Sequence, residues 1–118
     1  MTMLNQIAES RRPLLRLLAS AHTVNGYAYR ICAAPMAKTL IAVVSALNLM
    51  RIKVASIRRG EQHDIVRAVS GERDVEVEME AISPTTTRVR TVARQGASYD
   101  TATAIEIIVQ TEKILVGA

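Results

Sequence analysis

His63 and Asp64, with Glu61 just upstream, are the only compact set of titratable side chains in this sequence that includes a histidine. A histidine beside carboxylates is the raw material of general acid–base chemistry or of a metal site. The spacing argues against both. On a strand, neighbouring residues point to opposite faces, so His63 and Asp64 do not converge on one atom. Glu61 and His63 can share a face, but two ligands do not hold a metal. The set reads as a solvated junction between loop and strand, and His22 has no evident partner. The carboxylates Glu76, Glu78 and Glu80 lie on one face of a second strand. Such a row suits a cation or a basic partner, but the arginines of the following strand account for it more simply. A hydrolytic serine or cysteine needs a base and a strained turn of the Gly-x-Ser-x-Gly type. A phosphate loop needs clustered glycines before a helix, and the glycines at 26, 60, 71, 96 and 117 are dispersed. The reading is a non-enzymatic protein without cofactor or metal.

Binding residues are easier to nominate. Tyr27 and Tyr29 are two apart on one strand, so their rings share a face. With Arg30, Arg51, Lys53, Arg58 and Arg59 they would form a stacking platform in a basic field, the arrangement that single-stranded nucleic acid uses. Against this, the chain lacks the Gly-x-x-Gly loop of KH domains and the aromatic strand motif of RNA-recognition domains. Its last helix begins Asp-Thr-Ala-Thr, where a double-stranded-RNA-binding domain needs lysines. A second basic group, Arg11, Arg12 and Arg16, lies on the polar side of the N-terminal segment and can meet a protein or the surface of a membrane.

These residues need a scaffold, and composition bounds it. A chain of 118 residues with 49% apolar content is one domain with a single core. That core has no Phe and no Trp, so Val, Ile, Leu, Met and Ala must fill it. The net charge of +4 is uneven: residues 1–60 hold nine Lys or Arg and one acid, Glu9. A basic half of this kind can meet an anionic surface. Cys32 is alone, cannot form an internal disulfide and reads as a buried inert thiol. The longest apolar run, Leu40 to Met50, is about half of the roughly 20 residues a membrane span needs. The first 21 residues imitate a secretion signal only weakly, because Arg16 and Pro13 interrupt the apolar stretch. As it stands, the sequence reads as cytoplasmic.

Periodicity then supplies the elements. Residues 1–22 form an arm with helical apolar spacing, and residues 23–118 form the domain. Val24–Ile31 is the first strand, with a turn or bulge at Asn25-Gly26. Pro35 opens a helix to about Asn48 with Met36, Leu40, Ile41, Val43, Val44 and Leu47 on its buried stripe. Strands follow at 51–57, 63–69, 74–82 and 87–94, the last two joined by a turn at 83–86. Glu76 and Glu78 are expected opposite Arg88 and Arg90. A final helix, capped by Asp100 or Ser98, buries Ala104, Ile107, Ile108, Thr111, Ile114 and Leu115. The order β-α-β-β-β-β-α predicts an α+β domain: an antiparallel sheet of four to five strands with two helices on one face.

The pattern resembles a family of small bacterial proteins, the domain of unknown function 3568. The resemblance runs from about Asn25 to Leu115. It rests on Asn25-Gly26, on Ala34-Pro35 opening a helix that ends Ser45-Ala-Leu47, and on Lys53-Val54. It continues through Val75-Glu-Val-Glu-Met79, Val89-Arg90, Gly96 and Asp100. Members look like envelope proteins, many with a lipoprotein signal, so the resemblance implies a cell-envelope location. It carries over no catalytic residues. The first 24 residues here lack a convincing lipobox and depart from that pattern. Together these readings predict a macromolecule-binding or structural protein with a protein partner or a second copy of itself. The alternative is a basic nucleic-acid-binding module.

Overall fold

Strict alternation of apolar and polar residues from Asp74 to Glu80 makes one face oily and the other charged, and this segment forms the middle of the sheet. The computed structural model describes residues 22–24 and 26–117. The N-terminal arm, with Arg11, Arg12 and Arg16, lies outside the described residues. The elements are β1 (His22–Val24), β2 (Tyr27–Cys32), α1 (Met36–Leu49), β3 (Lys53–Arg58), β4 (His63–Ser70), β5 (Arg73–Ser83), β6 (Thr86–Gln95), β7 (Ser98–Tyr99) and α2 (Thr101–Gly117). Every pairing is antiparallel, in the order β1-β2-β6-β5-β4-β3, with β7 added to β6. This is the α+β class that the pattern predicts. The five expected strands are β2 to β6, and α1 and α2 pack on each other and on one face of the sheet.

The covered face is set by period two. Ala28 and Cys32, Val66 and Ala68, Val75, Val77 and Met79, and Val89 and Ala93 all point under the helices and are buried. Val43 and Leu47 of α1 and Ile107 and Ile108 of α2 close the core from above. Each such aliphatic side chain contributes on the order of 1.5–3 kcal/mol by leaving water. With no large aromatic ring inside, the close approach of two helices to the sheet depends on these β-branched and small residues.

Several boundaries differ from the sequence reading. The first strand is two: Val24 stands opposite Tyr27, and Gly26 turns the chain at φ 83°. Gly26 is needed there twice over, because a Cβ would run into the Tyr99 ring. Pro35 precedes α1 instead of lying in its first turn; it is the N-cap, at φ −62° and ψ 154°. Ile41, expected on the buried stripe, is 67% exposed, whereas Thr39, Ala42 and Ala46 are buried. On α2 the buried set includes Val109 and Glu112, which the stripe did not name. Asp100 is the cap, accepting from the Thr103 N–H at 3.1 Å and the Thr103 hydroxyl at 2.6 Å.

The second strand begins at Lys53, not Arg51. The exit from α1 explains this. The Arg51 N–H donates to the Asn48 carbonyl at 3.0 Å and the Ile52 N–H to the Leu47 carbonyl at 2.9 Å. These two bonds form a Schellman motif, with buried Ile52 and Leu47 as its apolar contact. The motif requires a left-handed residue after the cap, and Arg51 takes that role at φ 60°.

Candidate binding surface on the open sheet face

The side of the sheet away from the helices is a charge lattice built by register. Asp74, Glu76, Glu78 and Glu80 of β5 alternate with the buried core residues and so face outward. Across β6 stand Arg94, Val92, Arg90 and Arg88; across β4 stand Val69, Arg67, Ile65 and His63. Glu78 therefore faces Arg90 and Glu80 faces Arg88, one pair along from the expected match. The cause is the connection: Ser83 pairs Thr86 around a two-residue turn, with an irregularity between Ala81 and Ser83, where a longer turn was expected. Glu76 is left opposite Val92 and reaches Arg67 on β4 instead, at 3.6 Å.

The lattice is almost neutralised along β5. Glu80 pairs with Arg88, and Glu78 with both Arg90 and His63, the latter at 2.8 Å. Arg90 also lies over the Tyr27 ring, 5.0 Å from its centroid. Burial works against the Arg90 charge, but Glu78 and the hydroxyls of Tyr29 and Tyr27 outweigh it, so its pKa stands above the ordinary arginine value. Arg94 lies 5.1 Å over Tyr99. Arg94 and Asp74 stand opposite one another, yet no ion pair reaches either among the described residues. Between them and β3 the curved sheet encloses a cleft of about 420 Å³, lined by Tyr27, Ser56, Arg67, Asp74, Glu76 and Arg94. Val92, 7% exposed, is its apolar floor.

The nominated binding residues divide into two groups. Tyr27 and Tyr29 do share the open face, their rings 6.5 Å apart and tilted by 30°. Arg51, Arg58 and Arg59 are at the other margin, around β3, with β6, β5 and β4 in between. Four strand spacings, roughly 19 Å along the curved sheet, separate the two groups, and none of the three arginines lines the cleft that Tyr27 shares with Ser56. Arg30 leaves the platform altogether. Alternation sends it to the covered side with Ala28 and Cys32, where its guanidinium pairs with Glu112 of α2 at 3.1 Å. Arg59 turns to Asp64, its Nε 3.2 Å from Oδ2. The tyrosines and the basic residues therefore do not form one platform.

Two inward-facing acids were not anticipated. Asp64 is completely buried, not solvated; besides the Arg59 pair, its Oδ1 accepts from the Gly60 N–H at 3.1 Å and holds the β3–β4 turn. His63 does point the opposite way, as alternation requires. Glu112 is 6% exposed and lies beside Cys32. Burial first, then the Glu112 charge, pushes the Cys32 thiol up to about 12, so at neutral pH it is an inert thiol. The Glu112 position was legible: it falls on the same helical face as Ala104, Ile108 and Leu115. Among the described residues no three His, Cys, Asp or Glu side chains gather to hold a metal ion. No helix among them is long and apolar enough to cross a membrane.

The fold and surface thus define an α+β domain whose sheet is helix-covered on one side and charge-patterned on the other. Compared with known proteins, the chain matches no family model and no curated protein.

Proposed function

We propose that this is a non-catalytic binding domain that takes a protein partner on the open side of its sheet. The observation that carries the reading is the 420 Å³ cleft beside Asp74 and Arg94, opposite charges that face each other without an ion pair. A protein surface, which offers donors, acceptors and apolar groups together, matches a cleft with both charge signs and a valine floor. A polyanion matches it less well, because the carboxylates of β5 lie between the tyrosines and the basic residues of β3. The family resemblance supports a place for this domain in the bacterial envelope.

The test is photo-crosslinking in the native host from a reactive side chain placed at Arg94, with a second placement at the solvent-facing Ile41 of α1 as control. Discrete protein adducts from the cleft position alone are expected. Adducts to nucleic acid from that position, or none that exceed the control, overturn the reading. Fractionation of the same cells checks the envelope placement.

A further inference from the structure

We infer that the free edge of β3 is a docking strand for an extended acidic segment with carboxylates at positions i and i+4. The inference rests on the protein-binding reading and specifies the partner's chemistry.

Among the described residues β3 is the last strand of the sheet, paired on one side only, by β4. All its residues except Val54 are exposed. A strand in this position leaves alternate N–H and C=O groups free along about 20 Å of backbone, which another chain can satisfy by adding a strand. Its charges differ from those on the rest of the sheet, where, among the described residues, only Asp74 and Arg94, which face each other, also lack an ion pair. Along β5, Glu76, Glu78 and Glu80 each have a cationic partner, but Arg51, Lys53 and Arg58 have no ion pair among the described residues. Positive charge without a counterpart is therefore concentrated along this edge.

Two further features show that the edge selects its occupant. Antiparallel pairing with a second copy, centred on Ala55 and Ser56, would set Lys53 against Arg58 twice, and like charges directly opposite are destabilising. Arg51 also holds a left-handed conformation, at φ 60°, where glycine carries no steric penalty. A charged side chain kept at a strained position is the kind of outlier that accompanies function.

The irregularity between Val54 and Ser56 sets the spacing of the partner. It brings Lys53 opposite Val69 and Arg58 opposite Ile65, four positions apart on the open face, with Ser56 opposite Arg67 between them. An added strand in register therefore places acids at i and i+4 against the two cations. Apolar residues at i+1 and i+3 meet Val54 and Ile57.

The probe is a capped peptide, Thr-Glu-Val-Thr-Val-Glu-Thr, titrated into the isotope-labelled full chain and followed by amide NMR. Amide shifts and slowed hydrogen exchange confined to β3, weakening as sodium chloride is raised, are expected. The peptide with Lys for both Glu should not bind, and the isomer Thr-Val-Glu-Thr-Glu-Val-Thr should bind more weakly. The double variant K53E/R58E, checked by melting for an intact fold, should lose at least about tenfold in affinity for the acidic peptide and gain the lysine peptide. Equal binding of the acidic and lysine peptides, or no β3 response to either, overturns the edge inference. If cleft crosslinks from position 94 persist in K53E/R58E, the binding-domain reading stands without it; if they are absent from the unmodified protein, the broader reading has failed.

Discussion

Arg51→Gly should make this protein more stable while weakening its hold on an acidic partner. Arg51 follows the cap of α1 at φ 60°, fixed by hydrogen bonds of 3.0 and 2.9 Å and by burial of Ile52 at 2% exposure. A residue with a Cβ loses about 1–2 kcal/mol in this conformation. Glycine avoids that loss but gives up about 0.5–1 kcal/mol through the greater freedom of its unfolded chain. The difference favours glycine by roughly 0.5–1 kcal/mol. For a domain of this length, that raises the melting midpoint by about 2–4 °C. Arg51→Ala is the control: it removes the same charge, keeps the strain, and should leave the stability within about 0.5 kcal/mol of the parent. Thermal and urea melts of the three proteins, read by circular dichroism, measure the effect. Peptide titration should show both variants weakened alike. A glycine variant no more stable than the alanine variant would refute the strain argument. It would also remove Arg51 from the case for the β3 edge.

Two other consequences are local. Asp100 is held below its ordinary pKa by the Thr103 hydroxyl and backbone N–H and by Arg73 at 2.9 Å. A depressed carboxylate adds stability that is present above the unfolded value of 3.8 and lost as pH falls through the lower folded value. Asp100→Ala should therefore cost about 1 kcal/mol near neutrality in urea melts, and the gap to the parent should close in strong acid. Cys32, displaced from 9.0 to about 12, should alkylate at pH 8 about a thousandfold more slowly than an ordinary thiol, before steric shielding is counted. Glu112→Gln removes a cause of that displacement and should speed alkylation in the folded state, with no change in urea.

The fold was legible because this sequence states its periods plainly. Val75, Val77 and Met79 alternate with acids, and Leu40, Val43 and Leu47 recur at helical spacing; each pattern has one burial solution. The errors fall where a single residue's conformation or one turn's length decides the outcome. Arg51 carries no outward mark of a left-handed residue, since glycine is the usual occupant, so periodicity alone starts β3 two residues early. The 83–86 turn hid an irregularity, so the acid–base match along β5 and β6 was placed one pair away. Glu112 is legible from helical spacing, which puts it on the apolar stripe, and Arg30 from alternation, which places it with Ala28 and Cys32 and not on the tyrosine face. The separation of Tyr27 and Tyr29 from Arg51, Arg58 and Arg59 was different in kind. It depends on strand order, which no local pattern in the sequence specifies.

That order also determines where charge is left over. Because β5 lies between β4 and β6, Glu76, Glu78 and Glu80 find cations on those strands, and His63, Arg67, Arg88 and Arg90 are consumed in pairing with them. Because β3 has one neighbour among the described residues, and that neighbour offers Val69 and Ile65 opposite Lys53 and Arg58, its cations find no ion pair there. The uneven charge of the chain, basic in its first half and mostly acidic in its second, is therefore cancelled across the middle of the sheet and uncompensated at one margin. Edge cations alone would serve to keep copies of the sheet apart. The register at Lys53 and Arg58 distinguishes docking from mere protection, since it fixes the spacing of acids that an added strand would carry. A protective edge would give no response to the acidic peptide, and a docking edge would give one that K53E/R58E abolishes.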